Sequence, residues 1–503
     1  MPATKGESKT VQFRTWDGGM QRTASRTAMK DSEAYLLDNV QPIGPGQLQT
    51  LPTVGSSIAT IPAGIARMKG VQVNIAGTET PLLITSNTDG SMSQVNPSTG
   101  VVTTICAAGV MTASAKARMW QDTPVLLGDP SKGYAKWDGT TFTILDGTKV
   151  MNDFEVFESR VWYRPTASPR TVSFGAPDSY TDFSGASGGG STGITDNIFT
   201  GSITRFLSAL ELLWVVGPGA VNAISNVQTS AGVTTFSNTN IVANVGSAFP
   251  SSVASFFRTF LFLTPYGVYA IVGATPQKLS DALDGLFPSL VFGTDHPAAV
   301  FSLNNVFVWA VLVTYADPTA GNRPVLLCFS RGVWFLATQG ASTTWITSLV
   351  TSNGTPQCWA TDGTTIYQCF AGGTAVSAFT FQTKLWDFGA FTQAKQLLRL
   401  GLEFSSSDSI AASITLENEA GSAAAALAIT PSVTVTWTGG GGAAVTWTGG
   451  GGATVTWTAS GLVQARGAVD FAGDYLGVTV SGTSAPFTIA ALAMEIKPTG
   501  EWV

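Results

Sequence analysis

The sequence predicts an all-β protein: a roughly six-bladed β-propeller with an additional β-sandwich-like module formed by the N- and C-terminal segments. Three observations support this fold class. Only 12% of the 503 residues are charged, and Gly, Thr, Ser and Val are plentiful. Short hairpins recur along the middle of the chain, and sustained amphipathic helical patterns are scarce. Such a sequence is typical of strands joined by many tight turns.

The repeated hairpins predict the propeller. The clearest strand pairs are 82–95, 134–145, 212–224, 260–272 and 358–370, and a longer hairpin joins 306–315 to 324–337. Asp-Gly and other Gly-containing turns between alternating strands are strong hairpin signals. The turn centres lie roughly 40–55 residues apart, close to the length of a four-stranded blade, except for one gap of about 80. The Gly/Ser-rich stretch 182–197 is interpreted as a loop that accounts for this gap. One or two β-sandwiches are the alternative, but the regular spacing favours a propeller.

The two ends of the chain predict a second module. Because a propeller closes on itself, both ends should emerge near one another and form a sandwich-like module together. We therefore predict an N-terminal segment of this module over residues 1–65, the propeller over 66–374, and a C-terminal β module over 375–503.

A glycine-rich repeat lies within the C-terminal module. Residues 433–458 repeat a six-residue strand three times, with runs of four glycines between the copies. Three-residue loops place Val and Trp on one face and mostly Thr on the other, which predicts a three-stranded meander. Its apolar face packs on its own domain, on neighbouring copies in an oligomer, or transiently on a membrane. The residues proposed for channel or subunit contact are Trp437, Trp447, Trp457, Gly439, Gly442, Gly449 and Gly452.

The sequence shows little that indicates catalysis. His296 is the single histidine, and it precedes a proline, which is typical of a turn residue. Asp295 is adjacent in sequence but is not thereby positioned to orient the imidazole. The Asp-Gly pairs within 86–93 and 360–367 are interpreted as turn residues. We predict no enzyme activity, no catalytic residue, no cofactor and no metal site.

The four cysteines are interpreted as reduced, buried thiols. Cys358 and Cys369 are the two closest in sequence. A two-residue turn at Asp362-Gly363 would place Cys358 opposite Tyr367 and make Cys369 a diagonal neighbour. Diagonal Cβ atoms are about 7 Å apart, too far for a disulfide.

Charge and hydropathy restrict the partners and the location. The net charge is −6, and no cluster of basic residues is evident in the sequence. Tight binding of nucleic acid is therefore not expected, since phosphate contacts dominate that affinity. The polar start, MPATKGESKT, lacks the apolar core of a secretory signal. No apolar stretch is long enough to span a membrane, so synthesis in a cytoplasm without stable membrane insertion is expected.

Between about residue 10 and residue 410, the chain resembles the tail nozzle, or tail-accessory, β-propeller proteins of short-tailed bacteriophages. The stretches that carry the resemblance are FRTWDGGM (13–20), DSEAYLLDNVQPIGPGQLQTLPTVG (31–55), FESRVWYRPTASPRTVSFGAPDSYTDF (157–183), LTPYGVYAIVGATPQKLSD (263–281) and TKLWDFGAF (383–391). The Gly/Trp repeat lies outside them.

The resemblance implies a structural virion protein made in a host bacterial cytoplasm and located in the tail. Its expected partners are other copies in a homohexameric ring, a head-to-tail adaptor protein, tail fibres or spikes, and double-stranded DNA. The ring would retain packaged DNA and conduct it during ejection without binding it tightly. A carbohydrate-binding or glycan-degrading propeller that recognises a host receptor is the main alternative, and a bacterial interaction scaffold is a second.

Overall fold

The computed structural model describes residues 7–44, 46–273, 275–318, 320–340, 342–373, 377–405, 412–425, 462–483 and 486–501. These residues form 41 strands and four short 3-10 helices, at Gly185–Ser187, Pro250–Ser252, Asp281–Leu283 and Phe287–Ser289. No helix in this part of the chain is long and apolar enough to cross a membrane. The chain divides into two compact units. The terminal unit comprises Met1–Thr53, Val333–Ala337 and Gly372–Val503, and the propeller unit comprises Val54–Gly332 and Thr338–Ala371.

Six strands precede the first complete blade in sequence. They are β1 (Lys9–Phe13), β2 (Gly19–Met20), β3 (Glu33–Asp38), β4 (Val40–Pro42), β5 (Leu48–Thr50) and β6 (Ser57–Thr60). The first five belong to the terminal unit, and β6 belongs to the propeller unit.

The first five blades each contain four antiparallel strands in sequence order. The first two are β7 (Ile65–Ile75), β8 (Thr78–Asn87), β9 (Met92–Val95) and β10 (Val102–Cys106), then β11 (Lys116–Met119), β12 (Val125–Asp129), β13 (Gly133–Trp137) and β14 (Phe142–Asp146). The third and fourth are β15 (Met151–Phe157), β16 (Arg160–Pro165), β17 (Thr171–Phe174) and β18 (Gly190–Gly193), then β19 (Arg205–Ala209), β20 (Leu212–Val216), β21 (Ala220–Ser230) and β22 (Val233–Ala243). The fifth is β23 (Ala254–Phe256), β24 (Thr259–Thr264), β25 (Gly267–Val272) and β26 (Thr275–Lys278).

The last two blades complete the ring. In the sixth, β27 (Leu290–Val291) and β28 (Ala298–Leu303) both pair with β29 (Val306–Asp317), which also pairs with β30 (Gly321–Ser330). The seventh contains β32 (Trp345–Val350), β33 (Pro356–Thr361), β34 (Thr365–Gln368) and, from before the first blade, β6. Ala59 of β6 lies opposite Ile366 of β34. The seventh blade also contacts the first, since the Trp345 indole donates to the Met68 carbonyl at 2.9 Å. The earliest strand of this unit thereby closes the propeller.

The predicted β-propeller is confirmed, and a hairpin is present at each of the six predicted places. The second strand of the longest hairpin, predicted over 324–337, ends at Ser330, and Val333–Ala337 is a separate strand of the terminal unit. The described residues form seven blades where the sequence predicted about six. The additional blade is the third, and it occupies the gap in the spacing of the Gly-containing turns. Its first hairpin turns at Glu158 and Ser159, which both adopt φ values of +48° without any glycine. The stretch 182–197, predicted as a loop, contains its fourth strand, β18.

The remaining strands build the terminal unit. They are β31 (Val333–Ala337), β35 (Phe379–Thr383), β36 (Gln393–Ser405), β37 (Ala412–Glu417), β38 (Ser422–Ala425), β39 (Leu462–Gly473), β40 (Gly477–Gly482) and β41 (Thr488–Glu501). One sheet has the order β39-β36-β41-β5-β4, with β1 also paired to β41. In the other, β31, β3, β35, β40, β37 and β38 are neighbours in that order, and β2 pairs with β3. Both sheets therefore combine strands from the two ends of the chain.

Aromatic side chains fill the space between these two sheets. The Phe487 ring lies 5.4 Å from Phe404 of one sheet and 5.2 Å from Phe379 of the other. Trp16 packs edge-on against Phe381 at 4.9 Å. The terminal unit is therefore a β-sandwich with an aromatic core.

The boundaries of the units differ from those expected. The sequence placed them after residues 65 and 374, whereas the propeller unit runs from Val54 to Ala371. The first boundary moves because β6 belongs to the seventh blade. The predicted meander, 433–458, lies outside the described residues.

Candidate functional site

Charged side chains converge at the centre of the propeller unit. The first strand of each blade lines the central channel of a propeller, and alternate residues of a strand share a face. In three successive blades the first strand carries a charged pair at this spacing, and the fourth adds one arginine. These residues are Arg67 and Lys69 on β7, Lys116 and Arg118 on β11, Asp153 and Glu155 on β15, and Arg205 on β19.

Asp153 is the hub of this cluster, and its side chain is only 1% exposed. Its Oδ1 lies 2.9 Å from Lys116 Nζ, 3.6 Å from Arg118 Nη2 and 3.7 Å from Arg205 Nη1. Its Oδ2 accepts the Phe206 N–H at 2.6 Å. Burial alone would raise the pKa of Asp153, but Lys116, Arg205 and Arg118 together lower it to about 2. One carboxylate is thus shared by three cations.

Two arginines of the cluster have unsatisfied donors. Arg118 donates from Nε to Glu155 at 2.9 Å and from Nη1 to the Ala117 carbonyl at 2.8 Å. Its side chain is 8% exposed, and its Nη2 is buried without a hydrogen-bond acceptor in the described structure. The buried Nε of Arg205 has no acceptor there either. Buried donors of this kind cost free energy unless a ligand or water satisfies them.

Lys69 has neither an ion-pair partner nor a hydrogen-bond partner among the described residues. Lys69 is solvent-exposed, although many protein atoms lie close to its side chain. Burial and the nearby Arg118 and Arg205 lower the pKa of Lys69 to about 8, while Glu155 opposes this shift. Burial also lowers the pKa of Lys116 to about 8, against the effect of Asp153. Both lysines therefore carry their charge at neutral pH in an environment that disfavours it.

A cavity of about 290 Å³ opens onto this cluster. Its lining includes five basic residues, Arg67, Lys69, Lys116, Arg118 and Arg205, and no acidic residue among those described. The fifth, sixth and seventh blades contribute small or neutral residues such as Ala254, Ala298 and Ser348. An adjoining cavity of about 640 Å³ shares Lys69, Arg118 and Arg205 and is also lined by Glu79, Asp122 and Glu155. The positive charge is therefore concentrated on one side of a cavity that ions can enter.

Arg67 is compensated separately from the rest of the cluster. Its Nη1 lies 3.4 Å from Asp295 Oδ2, and its guanidinium lies 5.0 Å from the centre of the Trp345 ring. Asp295 also accepts the Ser251 hydroxyl at 2.6 Å. Arg67 and Asp295 therefore form a neutral pair beside the cavity.

His296 is not part of this cluster. Its Nε2 accepts the Gly293 N–H at 3.0 Å, so its Nδ1 carries the proton and donates to the Leu312 carbonyl at 2.9 Å. Burial lowers the pKa of His296, which keeps the ring neutral. The carboxylate of Asp295 accepts the backbone N–H of His296 at 2.9 Å. The imidazole is therefore a structural group held by backbone atoms.

All four cysteines are buried, as predicted, and are free thiols in the structure. The predicted register of the hairpin that carries two of them is wrong. Tyr367 lies opposite Ala360, and the Cys369 N–H donates to the Cys358 carbonyl at 2.9 Å, so the two cysteines face each other directly. The reason is a longer loop, in which the Asp362 carboxylate accepts the N–H groups of Thr364 and Thr365.

The site residues predicted from the sequence and those found in the structure are different sets. Trp437, Trp447, Trp457, Gly439, Gly442, Gly449 and Gly452 lie outside the described residues. The expectation that basic residues do not cluster is wrong for the folded chain, because three blades bring five of them together. The available signal was the spacing Arg-x-Lys at 67–69 and Lys-x-Arg at 116–118, each on the first strand of a blade.

Comparisons with known proteins give only distant structural likenesses. No protein-family model matches the sequence, and no curated protein matches it. A solved structure of a mutant of AofleA from Arthrobotrys oligospora aligns with a TM-score of 0.33 and 13% identity, covering 57% of this chain and 92% of that chain. BBS1N, solved in complex with ARL6DN, aligns with a TM-score of 0.42 and 9% identity, covering 64% of this chain and 96% of that chain. Likenesses this distant do not inform the function of this chain.

Proposed function

We propose that this chain is a structural virion protein, the tail nozzle of a short-tailed bacteriophage. In this proposal, copies form a homohexameric ring below the portal and its adaptor, carry fibres or spikes, and conduct double-stranded DNA. The observation that supports it best is the strand composition of the terminal unit. Both ends of the chain contribute strands to the same two sheets. The motif resemblance between residues 10 and 410 supplies the specific family.

The strand pairing gives this construction mechanical strength. β41 lies between β36 on one side and β1 and β5 on the other. Lys9 to Phe13 pair with Ile496 to Leu492 in a continuous antiparallel register. A force along either end of the chain must therefore break several ladder hydrogen bonds together. This suits a subunit that contains packaged DNA under load.

Ion pairing reinforces the same connection. The Arg26 guanidinium contacts the Glu417 carboxylate and donates from Nε to the Thr383 carbonyl at 2.7 Å. Gln382 and Thr479 donate to Glu417 Oε1 at 2.9 and 3.0 Å. The side chains of Arg26 and Glu417 are only 17% and 15% exposed. Arg26 thus joins the N-terminal segment to two C-terminal strands, and Glu417 extends the network to a third.

The overall charge is compatible with a DNA conduit. The chain has a net charge of −6, and each cation that contacts a phosphate increases the affinity for DNA. A net acidic wall would let hydrated DNA slide, whereas a basic wall would retain it.

Immunogold electron microscopy of tailed particles, with an antibody against this chain, tests the proposal together with the copy number per particle. We expect label at the distal end of a short tail and about six copies per particle, as a closed ring requires. Label on peripheral spikes at a multiple of three would contradict the nozzle assignment and favour glycan recognition. Particles without any label would contradict both.

Deletion of 438–452 tests whether the Gly/Trp repeat takes part in the ring. We expect this deletion to reduce infectivity and tail integrity, because it removes the middle copy of the repeat and both runs of four glycines. Deletion of 439–448 is the matched control, since it removes one repeat unit and leaves two copies of the repeat joined by one run of four glycines. Full infectivity after deletion of 438–452 would exclude a role for the repeat.

A further inference from the structure

We propose that the propeller channel is a binding site for a tetrahedral oxyanion with two negative charges, such as phosphate, sulfate or a phosphate monoester. The site is formed by Lys69, Lys116, Arg118 and Arg205, which line the cavity, and Asp153 is paired with the last three. This inference rests on the propeller unit alone and does not depend on the proposed role in a tail.

The first argument is the charge balance. Arg67 is neutralised by Asp295. Lys116, Arg118 and Arg205 share only two carboxylates, Asp153 and Glu155, and Lys69 pairs with neither. The cavity of about 290 Å³, whose described lining has no carboxylate, therefore has an excess of positive charge. Uncompensated charge in a protein interior is costly, so an anion that balances it is strongly favoured.

The second argument is the set of unsatisfied donors. Arg118 Nη2 and Arg205 Nε are buried without an acceptor in the described structure. Lys69 is exposed, and its side chain has no ion-pair or hydrogen-bond partner among the described residues. Asp153 is 3.6 and 3.7 Å from the nearest nitrogens of the two arginines, so it attracts them without forming hydrogen bonds to them. Guanidinium and ammonium groups are the donors that proteins use to bind tetrahedral oxyanions.

The third argument is access. The cavity of about 290 Å³ is large enough for a phosphate group with an attached small substituent. Lys69, Arg118 and Arg205 also line the adjoining cavity, which gives an anion a route to them. Glu79, Asp122 and Glu155 on that second cavity disfavour long polyanions. A small dianion therefore fits the charge pattern better than a nucleic-acid strand.

Isothermal titration calorimetry of the full-length protein tests this site with three probes: sodium sulfate, inorganic phosphate and glycerol phosphate. Ionic strength is held constant with sodium chloride, so that general salt effects do not differ between titrations. Lys69→Met removes one positive charge and breaks no side-chain hydrogen bond or ion pair of the described structure. Lys132→Met is the matched control, since Lys132 is exposed and lies on the second blade, away from the cavity.

We expect saturable binding to one site in the wild-type protein and in Lys132→Met. Lys69→Met should weaken it by about tenfold or more, since it removes a charge-assisted contact. Tighter binding of glycerol phosphate than of inorganic phosphate would identify an ester as the natural class, and the reverse order would identify the free anion. The absence of saturable heat with all three probes would overturn the proposal, because water alone would then satisfy the donors. Equal affinity in Lys69→Met and the wild-type protein would also overturn it.

Discussion

Replacing Asp153 with asparagine removes the carboxylate that three cations share while keeping the shape of the side chain. Lys116, Arg118 and Arg205 would then lose their common counter-ion. The amide oxygen can still accept the Phe206 N–H. The substitution therefore isolates charge compensation from packing.

The expected magnitude follows from the titration of this group. A carboxyl whose pKa falls from 3.8 to about 2 on folding stabilises the folded state by about 2 kcal/mol at neutral pH. This stabilisation is present above the unfolded pKa and is lost as the pH falls toward 2. Leaving a buried charge without its partner typically costs about 3–5 kcal/mol. We therefore expect Asp153→Asn to lower the free energy of unfolding by about 3 kcal/mol and Tm by about 5 °C.

The assay is thermal unfolding of the full-length protein at pH 7 in chloride buffer without phosphate or sulfate. Asp284→Asn is the matched control, because Asp284 pairs with Lys278 on the same unit but is 44% exposed. Its effect should stay within about 0.5 kcal/mol. Adding Lys116→Met to Asp153→Asn should recover part of the loss, since one uncompensated cation is then removed. A Tm for Asp153→Asn within a degree of the wild-type value would refute the argument that Asp153 holds the cluster together.

Four further predictions concern both units. Lys69→Met should raise the free energy of unfolding by about 1 kcal/mol in anion-free buffer. This is less than the full pKa shift of Lys69 implies, because solvent screens the exposed charge. A Tm below the wild-type value would contradict this prediction. Sulfate affinity measured by calorimetry should fall as the pH rises above about 8, where Lys69 and Lys116 lose their protons, and a flat profile to pH 10 would contradict it. Glu417→Gln should destabilise the terminal unit by about 2 kcal/mol, because Arg26 loses its ion-pair partner. The measurement is the rate of proteolysis, which should rise, and an unchanged rate would contradict a stabilising role for the Arg26–Glu417 ion pair. Ala59→Asp should lower Tm sharply by placing a carboxylate in the apolar contact between the seventh and first blades, and a wild-type Tm would show that β6 does not close the ring.

The fold was predictable wherever glycine marks the turns. Each hairpin identified from an Asp-Gly or other Gly-containing turn is present. The third blade was missed because Glu158 and Ser159 adopt the left-handed conformation that is usually a glycine signal. β6 was assigned to the wrong unit because its partner, β34, is about 300 residues away, and short-range patterns contain no information on that pairing.

The candidate site was not predictable as a cluster. Its basic residues lie at 67–69, 116–118 and 205, so no short stretch of sequence contains more than two of them. Their convergence depends on the rule that each first strand faces the centre of the ring, which can be applied only when the blades have been delimited correctly. The hub, Asp153, lies on the third blade, which the turn spacing did not reveal.

The pairing of β1 with β41 also affects how the protein is made. Lys9 pairs with Ile496, which is synthesised 487 residues later, so the strand of Lys9 has no partner until then. At about 5–20 residues per second, the ribosome needs roughly half a minute or longer to supply that partner. The propeller strands emerge in the meantime, so the ring can form while the early strands are still unpaired. A prematurely terminated chain cannot complete the sandwich, and its exposed strand edges would mark it for chaperones or proteases. Only chains translated through β41 would then fold completely.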